Sequence, residues 1–174
     1  MLLKHLHTCY RCLYTCKITE LPVSISKICN YLQIKIVRNS DLPVTSQLQP
    51  NQKGACVFHN NEKYIILRDT ETKSVQRFTA AHEIGHILLR HLPSNTITST
   101  QEIEAEYFAL CLLMPPCIIA KLKHLTTTEL CNICQCPINM YIRYIDMYNK
   151  LPTTGRHANV CITKFKIFLE QYNN

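Results

Sequence analysis

The sequence predicts an α+β fold in which a short β-sheet packs on one central helix and further helices complete the core. Three observations support this prediction. Residues 77–89 and 101–115 are rich in apolar side chains at the spacing of an α-helix. Residues 55–59 and 64–67 are β-rich and flank an Asn-Asn pair, a pattern typical of a β-hairpin. Residues 34–37 add a further short strand candidate.

The first helical stretch, RFTAAHEIGHILL, contains His82, Glu83 and His86 in the pattern H-E-x-x-H. Helical residues four apart lie on nearly the same face, about 40° apart around the axis. The two imidazoles can therefore bind one metal ion, while Glu83 lies close enough to act on a metal-bound water. Two nitrogen ligands beside a carboxylate base are what zinc-assisted peptide hydrolysis requires.

The alternative for this stretch is a core helix with two hydrogen-bonded histidines and no metal. Its apolar neighbours favour a mostly buried helix, in which polar side chains need partners because burying them unpaired is costly. Gly85 also stands out, since glycine inside a helix costs about 1 kcal/mol relative to alanine. Close approach of another backbone would explain the glycine.

A third ligand is expected from the second helical stretch, QEIEAEYFALCLLMP. Glu102 and Glu106 are four residues apart and share one flank of this predicted helix. One of them can bind the metal while the other accepts a hydrogen bond from the far nitrogen of a ligand histidine. Glu104 points to a different side and is the second choice as ligand. The alternative is an acidic first turn that stabilises the helix N-terminus.

The motifs R-F-T-x-A-H-E-x-G-H-I-x-L and E-x-E-A-x-x-F-A-x-x-L-L-M-P resemble the ImmA/IrrE family of zinc metallopeptidases. The resemblance covers about residues 18–122. It implies a small zincin-like domain of the gluzincin type, in which His82, His86 and Glu102 bind one Zn²⁺ and Glu83 acts on the water.

The chain departs from the family pattern in two places. Glu106, the residue expected to orient a ligand histidine, stands where many members have Asn or Asp. Residues 123–174 match no family motif. We predict one metallopeptidase domain over 1–174, with the recognisable core at about 18–122 and a helical C-terminal extension at 123–174.

Residues 64–67 are the candidate for the edge strand that pairs with extended substrate in peptidases of this build. Tyr64, Ile65 and Ile66 are the expected substrate-binding residues, by β-augmentation. The alternative is an ordinary sheet strand that packs on the motif helix.

Helix ends and the C-terminus are less clearly marked. Ser74 is expected to cap the motif helix, and Ser99 or Thr100 the second helix. Residues 160–172 fit a strand and an amphipathic helix equally well. Three further histidines, His91, His124 and His157, could each donate to a developing oxyanion, but each fits a surface or capping role better.

Composition restricts the function classes. Apolar residues make up 47% and charged residues 18%, as in ordinary globular proteins. The net charge of +7 comes from scattered basic residues without a DNA-reading motif, so we expect no direct nucleic-acid binding, although an acidic partner surface is compatible. No stretch approaches the roughly 20 apolar residues of a membrane span.

Eleven cysteines, an odd number, without a recognisable secretory leader favour a cytoplasmic location with free thiols. Two Cys/His clusters allow a second, structural metal as an alternative to small buried side chains. The first cluster contains His5, His7, Cys9, Cys12 and Cys16, and the second contains Cys131, Cys134 and Cys136.

The predicted function is a zinc-dependent endopeptidase that cleaves a specific intracellular protein. The family resemblance implies a repressor-type transcription regulator as substrate, cleaved to release genes of a mobile element or a stress response. Two alternatives remain at this point. One is a metal-binding interaction protein that hydrolyses nothing, and the other is a DNA-binding regulator, which the scattered charge disfavours.

Overall fold

The computed structural model describes residues 2–91, 97–149, 151 and 153–172, and over these ranges the fold is α+β, as predicted. Three strands form one sheet, and helices surround it. The strands are β1 (Ile34–Arg38), β2 (Gly54–His59) and β3 (Glu62–Leu67). The helices are α1 (Leu2–Thr15), α2 (Ile25–Leu32), α3 (Lys73–Leu89), α4 (Ser99–Leu113), α5 (Pro116–Ile119), α6 (Thr127–Cys134), α7 (Ile138–Tyr148), α8 (Arg156–Lys164) and α9 (Lys166–Glu170).

The hairpin between β2 and β3 confirms the prediction from the Asn-Asn pair. Asn60 and Asn61 both adopt left-handed backbone angles, with φ of 48° and 62°. Positive φ at both central residues is the requirement of the tight turn that matches the twist of two antiparallel strands, and Asn tolerates it better than most residues.

The strand order is β1-β3-β2, which corrects one prediction. β3 is the central strand, because β1 adds to it in parallel on one side and β2 pairs antiparallel on the other. Tyr64, Ile65 and Ile66 are therefore paired along both sides, and they offer no free backbone edge for β-augmentation. The residue pattern showed that this run is a strand, but it did not show which strands lie beside it.

Helices α3 and α4 lie against each other at the centre of the fold, and α3 also contacts β2 and β3. α1 packs on α4, and α8 packs on α1. The close approach of α3 and α4 occurs at Gly85, where an added Cβ would lie 3.1 Å from the carbonyl oxygen of Ala105 and 3.1 Å from Cδ1 of Phe108. The unusual helical glycine thus has the packing role that the sequence suggested.

The helix caps differ from the predicted residues by a small shift. Thr72, not Ser74, caps α3 by accepting a hydrogen bond from the Val75 N–H. Thr98, not Ser99 or Thr100, caps α4 in a reciprocal pair with Gln101. In both cases the cap is the threonine with extended backbone immediately before the first helical residue, which is the geometry that capping requires.

The described part of the C-terminal extension is helical, and residues 160–172 belong to α8, α9 and the turns beside them. Within the described ranges, no single helix combines the length and hydropathy of a membrane span; the bent pair Ser99–Leu113 and Pro116–Leu122, which meet at 42°, does so only when the two are taken together. All eleven cysteines are free thiols, and Cys56 alone among them is not fully buried.

Replacement of Gly85 by Ala tests the α3–α4 contact. Alanine gains about 1 kcal/mol of helix propensity, but its methyl group must displace the backbone of α4, and overpacking of this kind costs about 1–3 kcal/mol. We expect a net loss of about 1 kcal/mol in the free energy of unfolding, and a larger loss for Gly85→Val. Urea denaturation measures both variants. A Gly85→Ala protein more stable than the wild type would contradict the contact.

Candidate metal centre

Two imidazoles on α3 meet at one point. His82 and His86 are one helical turn apart, and their Nε2 atoms lie 3.0 Å from each other. Their rings are in an edge-on arrangement with centroids 4.7 Å apart. Burial lowers the pKa of His82 and the pKa of His86 to about 4. Both imidazoles are therefore neutral at pH 7, which is the form that binds a metal ion.

Helix α4 brings a carboxylate to the same point. Oε2 of Glu102 lies 3.2 Å from Nε2 of His82, and Oε1 lies 3.6 Å from Nε2 of His86. One ligand atom from each of the three residues lies within 4.8 Å of the other two. The structure thus brings together the three residues that the family resemblance implied as metal ligands.

The three donors fit a zinc ion. With bonds of about 2.0–2.1 Å to nitrogen and oxygen, a tetrahedral ion separates its ligand atoms by about 3.3 Å. The two Nε2 atoms are 3.0 Å apart, and the distances of 3.2 and 3.6 Å from them to Glu102 end on its two different carboxylate oxygens, so all three separations are close to this value. Two imidazoles and one carboxylate are also a donor set typical of catalytic zinc. The His86 side chain is buried, whereas Glu102 is half exposed, so the group is open on the carboxylate side.

Glu83 lies in the same cleft and is 7% exposed. Burial raises the pKa of Glu83 to about 7, and the nearby charge of Glu102 adds to the rise. The thiol and backbone N–H of Cys56 oppose it. A carboxylate with a pKa near the working pH is well suited to accept and return a proton.

The cleft around these residues has a volume of about 350 Å³. Residues 52–56 at the start of β2 form one wall, and α3 forms the floor. Gly54 allows this arrangement, because a Cβ at this position would overlap Cγ2 of Thr79 on α3. Met140 of α7 also lines the cleft. The C-terminal extension therefore contributes to the site, although its sequence contains no recognisable family motif.

Glu106 does not have the predicted contact with a ligand histidine. Its carboxylate forms an ion pair with Arg143 of α7. Glu106 lies one helical turn after Glu102, at a point where α4 faces α7. Helical spacing alone therefore predicted the wrong partner for Glu106. Nδ1 of His86 instead lies 3.0 Å from Nδ1 of His91. The sequence favoured a surface or capping role for His91 over an oxyanion donor, but this residue is buried.

The other candidates lie outside the ligand group. Glu104, the second choice as ligand, contacts His91 and His5 rather than His82 or His86. Histidines 124 and 157 are exposed. In the part of the chain that the structure describes, His82, His86 and Glu102 are the one set of three converging ligand atoms, and neither Cys/His cluster forms such a set there.

A larger cavity of about 880 Å³ lies between α1 and α8, lined by basic and aromatic side chains. It contains none of the three converging ligands and no carboxylate among its described lining residues. The smaller cleft is the candidate site because its donor set, rather than its size, defines a chemistry.

The fold and the site together define an α+β domain with a His-His-Glu group that can hold a metal ion. Residues 29–132 match the Peptidase_M78 family model, described as the IrrE N-terminal-like domain. The match covers more than half of the chain, and the chain therefore belongs to the ImmA/IrrE family, as the motifs suggested. The match begins inside α2 and ends inside α6. Compared with the predicted core of 18–122, it starts later at the N-terminal end and extends further at the C-terminal end. No curated protein matches the chain.

Proposed function

We propose that the chain is a zinc-dependent endopeptidase with a zincin-like fold of the gluzincin type, formed by one domain over 1–174. His82, His86 and Glu102 would hold one Zn²⁺. The observation that supports this proposal most is the presence of three converging ligand atoms in the same cleft as a buried carboxylate whose pKa is raised to about 7.

The chemistry follows from the roles of these residues. When bound, Zn²⁺ would supply a Lewis acid for the peptide carbonyl and lower the pKa of a water molecule. Glu83 accepts the proton of the attacking water and later returns it to the leaving amine nitrogen. His86 is fully buried and has a fixed position, whereas the exposed side of Glu102 leaves room for the peptide.

The backbone that positions the peptide is β2 rather than β3. β2 is an edge strand, and the residues at its start line the cleft beside Glu83. An extended peptide can add to this edge by β-augmentation, which places its carbonyl groups along the cleft. This proposal replaces the prediction for Tyr64, Ile65 and Ile66, which are paired on both sides.

Hydrogen exchange tests the edge. A peptide bound to the inactive Glu83→Gln variant is expected to slow amide exchange in β2, because new backbone hydrogen bonds form there. β3 should change little, since its amides are already between two strands. New protection at β1, the opposite edge, with none at β2 would contradict this arrangement.

We propose a protein substrate inside the cytoplasm, with a repressor-type DNA-binding protein as the first candidate and control of a mobile element as its setting. The family resemblance supports this choice of substrate. Three features of the chain are compatible with it. The cleft of about 350 Å³ suits a single extended segment, the net charge of +7 favours an acidic partner surface, and the free thiols fit a reducing compartment.

The experiment is a cleavage assay on a panel of repressor-type DNA-binding proteins, run together with a proteome-derived peptide library. We expect cleavage by the zinc-loaded protein, loss of cleavage after chelation, and recovery on adding Zn²⁺, because the metal polarises the carbonyl. Mass spectrometry identifies the new termini. Metal binding without cleavage of either substrate would favour the alternative, a metal-binding interaction protein of the same fold.

A further inference from the structure

A chain of polar groups runs from the back of the candidate metal site to the N-terminal helix, and its three imidazoles are buried. We infer that Glu104 and His91 fix the proton position on His86, and that His5 of α1 holds Glu104 in place. The inference rests on the proposed metal site and names residues that position a ligand without touching the metal or the substrate.

Three contacts form this chain. Nδ1 of His86 lies 3.0 Å from Nδ1 of His91, and Nε2 of His91 lies 3.0 Å from Oε2 of Glu104. The other carboxylate oxygen of Glu104 lies 3.5 Å from Nε2 of His5. His86, His91 and His5 are 1%, 6% and 2% exposed, so these rings have little contact with water. The side chain of Glu104 is 21% exposed.

When the imidazoles are neutral, one proton assignment fits these contacts. A carboxylate only accepts hydrogen bonds, so the proton of neutral His91 is on Nε2 and is donated to Glu104. Nδ1 of His91 then carries a lone pair and accepts from His86, whose proton must be on Nδ1. Nε2 of His86 is left with its lone pair, and this is the atom that lies beside His82 and Glu102.

The opposite assignment would disable the site. If His91 donated from Nδ1, then His86 would accept there and carry its proton on Nε2, where the metal must bind. For a neutral His91 ring, Glu104 opposes this assignment, because Nε2 of His91 would then face a carboxylate with no proton between them. The carboxylate thus acts on the ligand through one intervening ring, in the way that partners of metal-bound histidines set their tautomer.

The end of α3 creates this geometry. Arg90 adopts a left-handed conformation with φ of 62°, and the chain folds back so that the N–H of His91 donates to the carbonyl oxygen of His86 at 3.0 Å. This turn places the two imidazoles edge to face, with centroids 5.1 Å apart. Helix α4 provides a carboxylate to each of these places: Glu102 lies at the ligand group, and Glu104 lies at His91.

His5 extends the network outside the family match, which begins at residue 29. Neither ring nitrogen of His5 has a hydrogen-bond partner within the described residues, although both are buried. Burial of an unpaired ring is costly, and the nearby Glu104 carboxylate is the polar group that offsets this cost. α1 therefore contributes to the metal site, although it touches none of the proposed ligands through this residue.

The test uses the full-length chain in its metal-free and zinc-bound forms. His91→Phe keeps the ring volume but removes both nitrogens, and Glu104→Ala removes the acceptor. We expect each to weaken Zn²⁺ binding about 10- to 100-fold, as loss of such partners does in other metal sites. Competition with a chromogenic chelator measures the affinity. His5→Phe is expected to weaken it in the same direction and to a smaller extent.

The control is Glu106→Ala, which removes the same charge from α4 but a group paired with Arg143. It should leave the zinc affinity unchanged. Thermal unfolding identifies variants that fail to fold, and His91→Phe keeps the inference testable if Glu104→Ala is one of them.

A second measurement distinguishes positioning from a merely structural role. Ring-nitrogen NMR of the ¹⁵N-histidine-labelled, metal-free protein should show His86 protonated on Nδ1 in the wild type, with a shift toward the Nε2-protonated form in His91→Phe. Unchanged affinity and an unchanged His86 tautomer in the variants would overturn the inference. Failure of the proposed function would look different, because the wild-type chain itself would then bind no zinc or cleave no peptide.

Discussion

Glu83→Gln is expected to bind zinc as the wild type does and to lose peptide cleavage by about 10²- to 10⁴-fold, the usual contribution of a general base. Glutamine has nearly the same shape as glutamate, so the cleft and the ligand group should stay intact. The amide cannot take a proton from water at neutral pH. Folding should not suffer either, because the variant removes a buried group that is costly to ionise.

The comparison is made at equal zinc content, with cleavage followed by mass spectrometry on the substrate found for the wild type. Glu129→Gln is a suitable control, since Glu129 is an exposed carboxylate that caps α6 away from the site. If the Glu83→Gln variant cleaves at the wild-type rate, Glu83 is not the base. This variant also distinguishes a peptidase from a metal-binding interaction protein, because only a peptidase has a cleavage activity that depends on the Glu83 carboxylate.

His86→Ala is the second large effect, and we expect it to abolish zinc binding at micromolar concentrations. Both ring nitrogens of His86 are in use, with Nε2 in the ligand group and Nδ1 against His91. The side chain is 1% exposed, so the substitution also leaves a cavity and an unpaired His91. We expect the free energy of unfolding to fall by about 1–3 kcal/mol, as for other losses of a buried polar partner.

Metal analysis after gel filtration and urea denaturation measure these two losses separately. The matched control is His124→Ala, which removes an exposed imidazole that lies outside the ligand group. It should keep both the zinc and the stability. Retention of stoichiometric zinc by the His86→Ala protein would contradict the assignment of His86 as a ligand.

The sequence predicted the parts of the site that depend on local geometry. Helical spacing alone puts His82 and His86 on one face, and the structure brings their Nε2 atoms to 3.0 Å. A glycine inside the motif helix indicated the close approach of another backbone, although the sequence did not show which one. In the structure, Gly85 packs on Ala105 of α4. The hairpin followed from its turn residues, which adopt the backbone angles that such a turn needs.

The wrong predictions concern partners from elsewhere in the fold. The strand pattern of β3 is the same whether it lies at the centre or at the edge, and only the position of β1 decides between them. Helical spacing gave the face of Glu106 but not the helix α7 that packs there. The contact between His91 and His86 depends on the left-handed residue Arg90, which ends α3 without the glycine that usually signals such a turn.

Helix α1 also makes a contact near the site that the sequence did not predict. Its cysteines and histidines allowed a structural metal as an alternative to small buried side chains, and Cys9, Cys12 and Cys16 are small buried side chains in the core. His5 instead lies near Glu104, on a helix that follows almost one hundred residues later. A sequence pattern within one helix cannot show such a contact, because it depends on how α1 packs against α4.

The central claim is that two imidazoles and one carboxylate hold the metal, and X-ray absorption at the zinc edge of the purified protein tests it most directly. The account predicts nitrogen and oxygen neighbours at about 2.0–2.1 Å, with imidazole scattering from two rings and no sulfur. Sulfur neighbours at about 2.3 Å would contradict it, because the zinc would then be bound by some of the eleven cysteines and not by His82, His86 and Glu102.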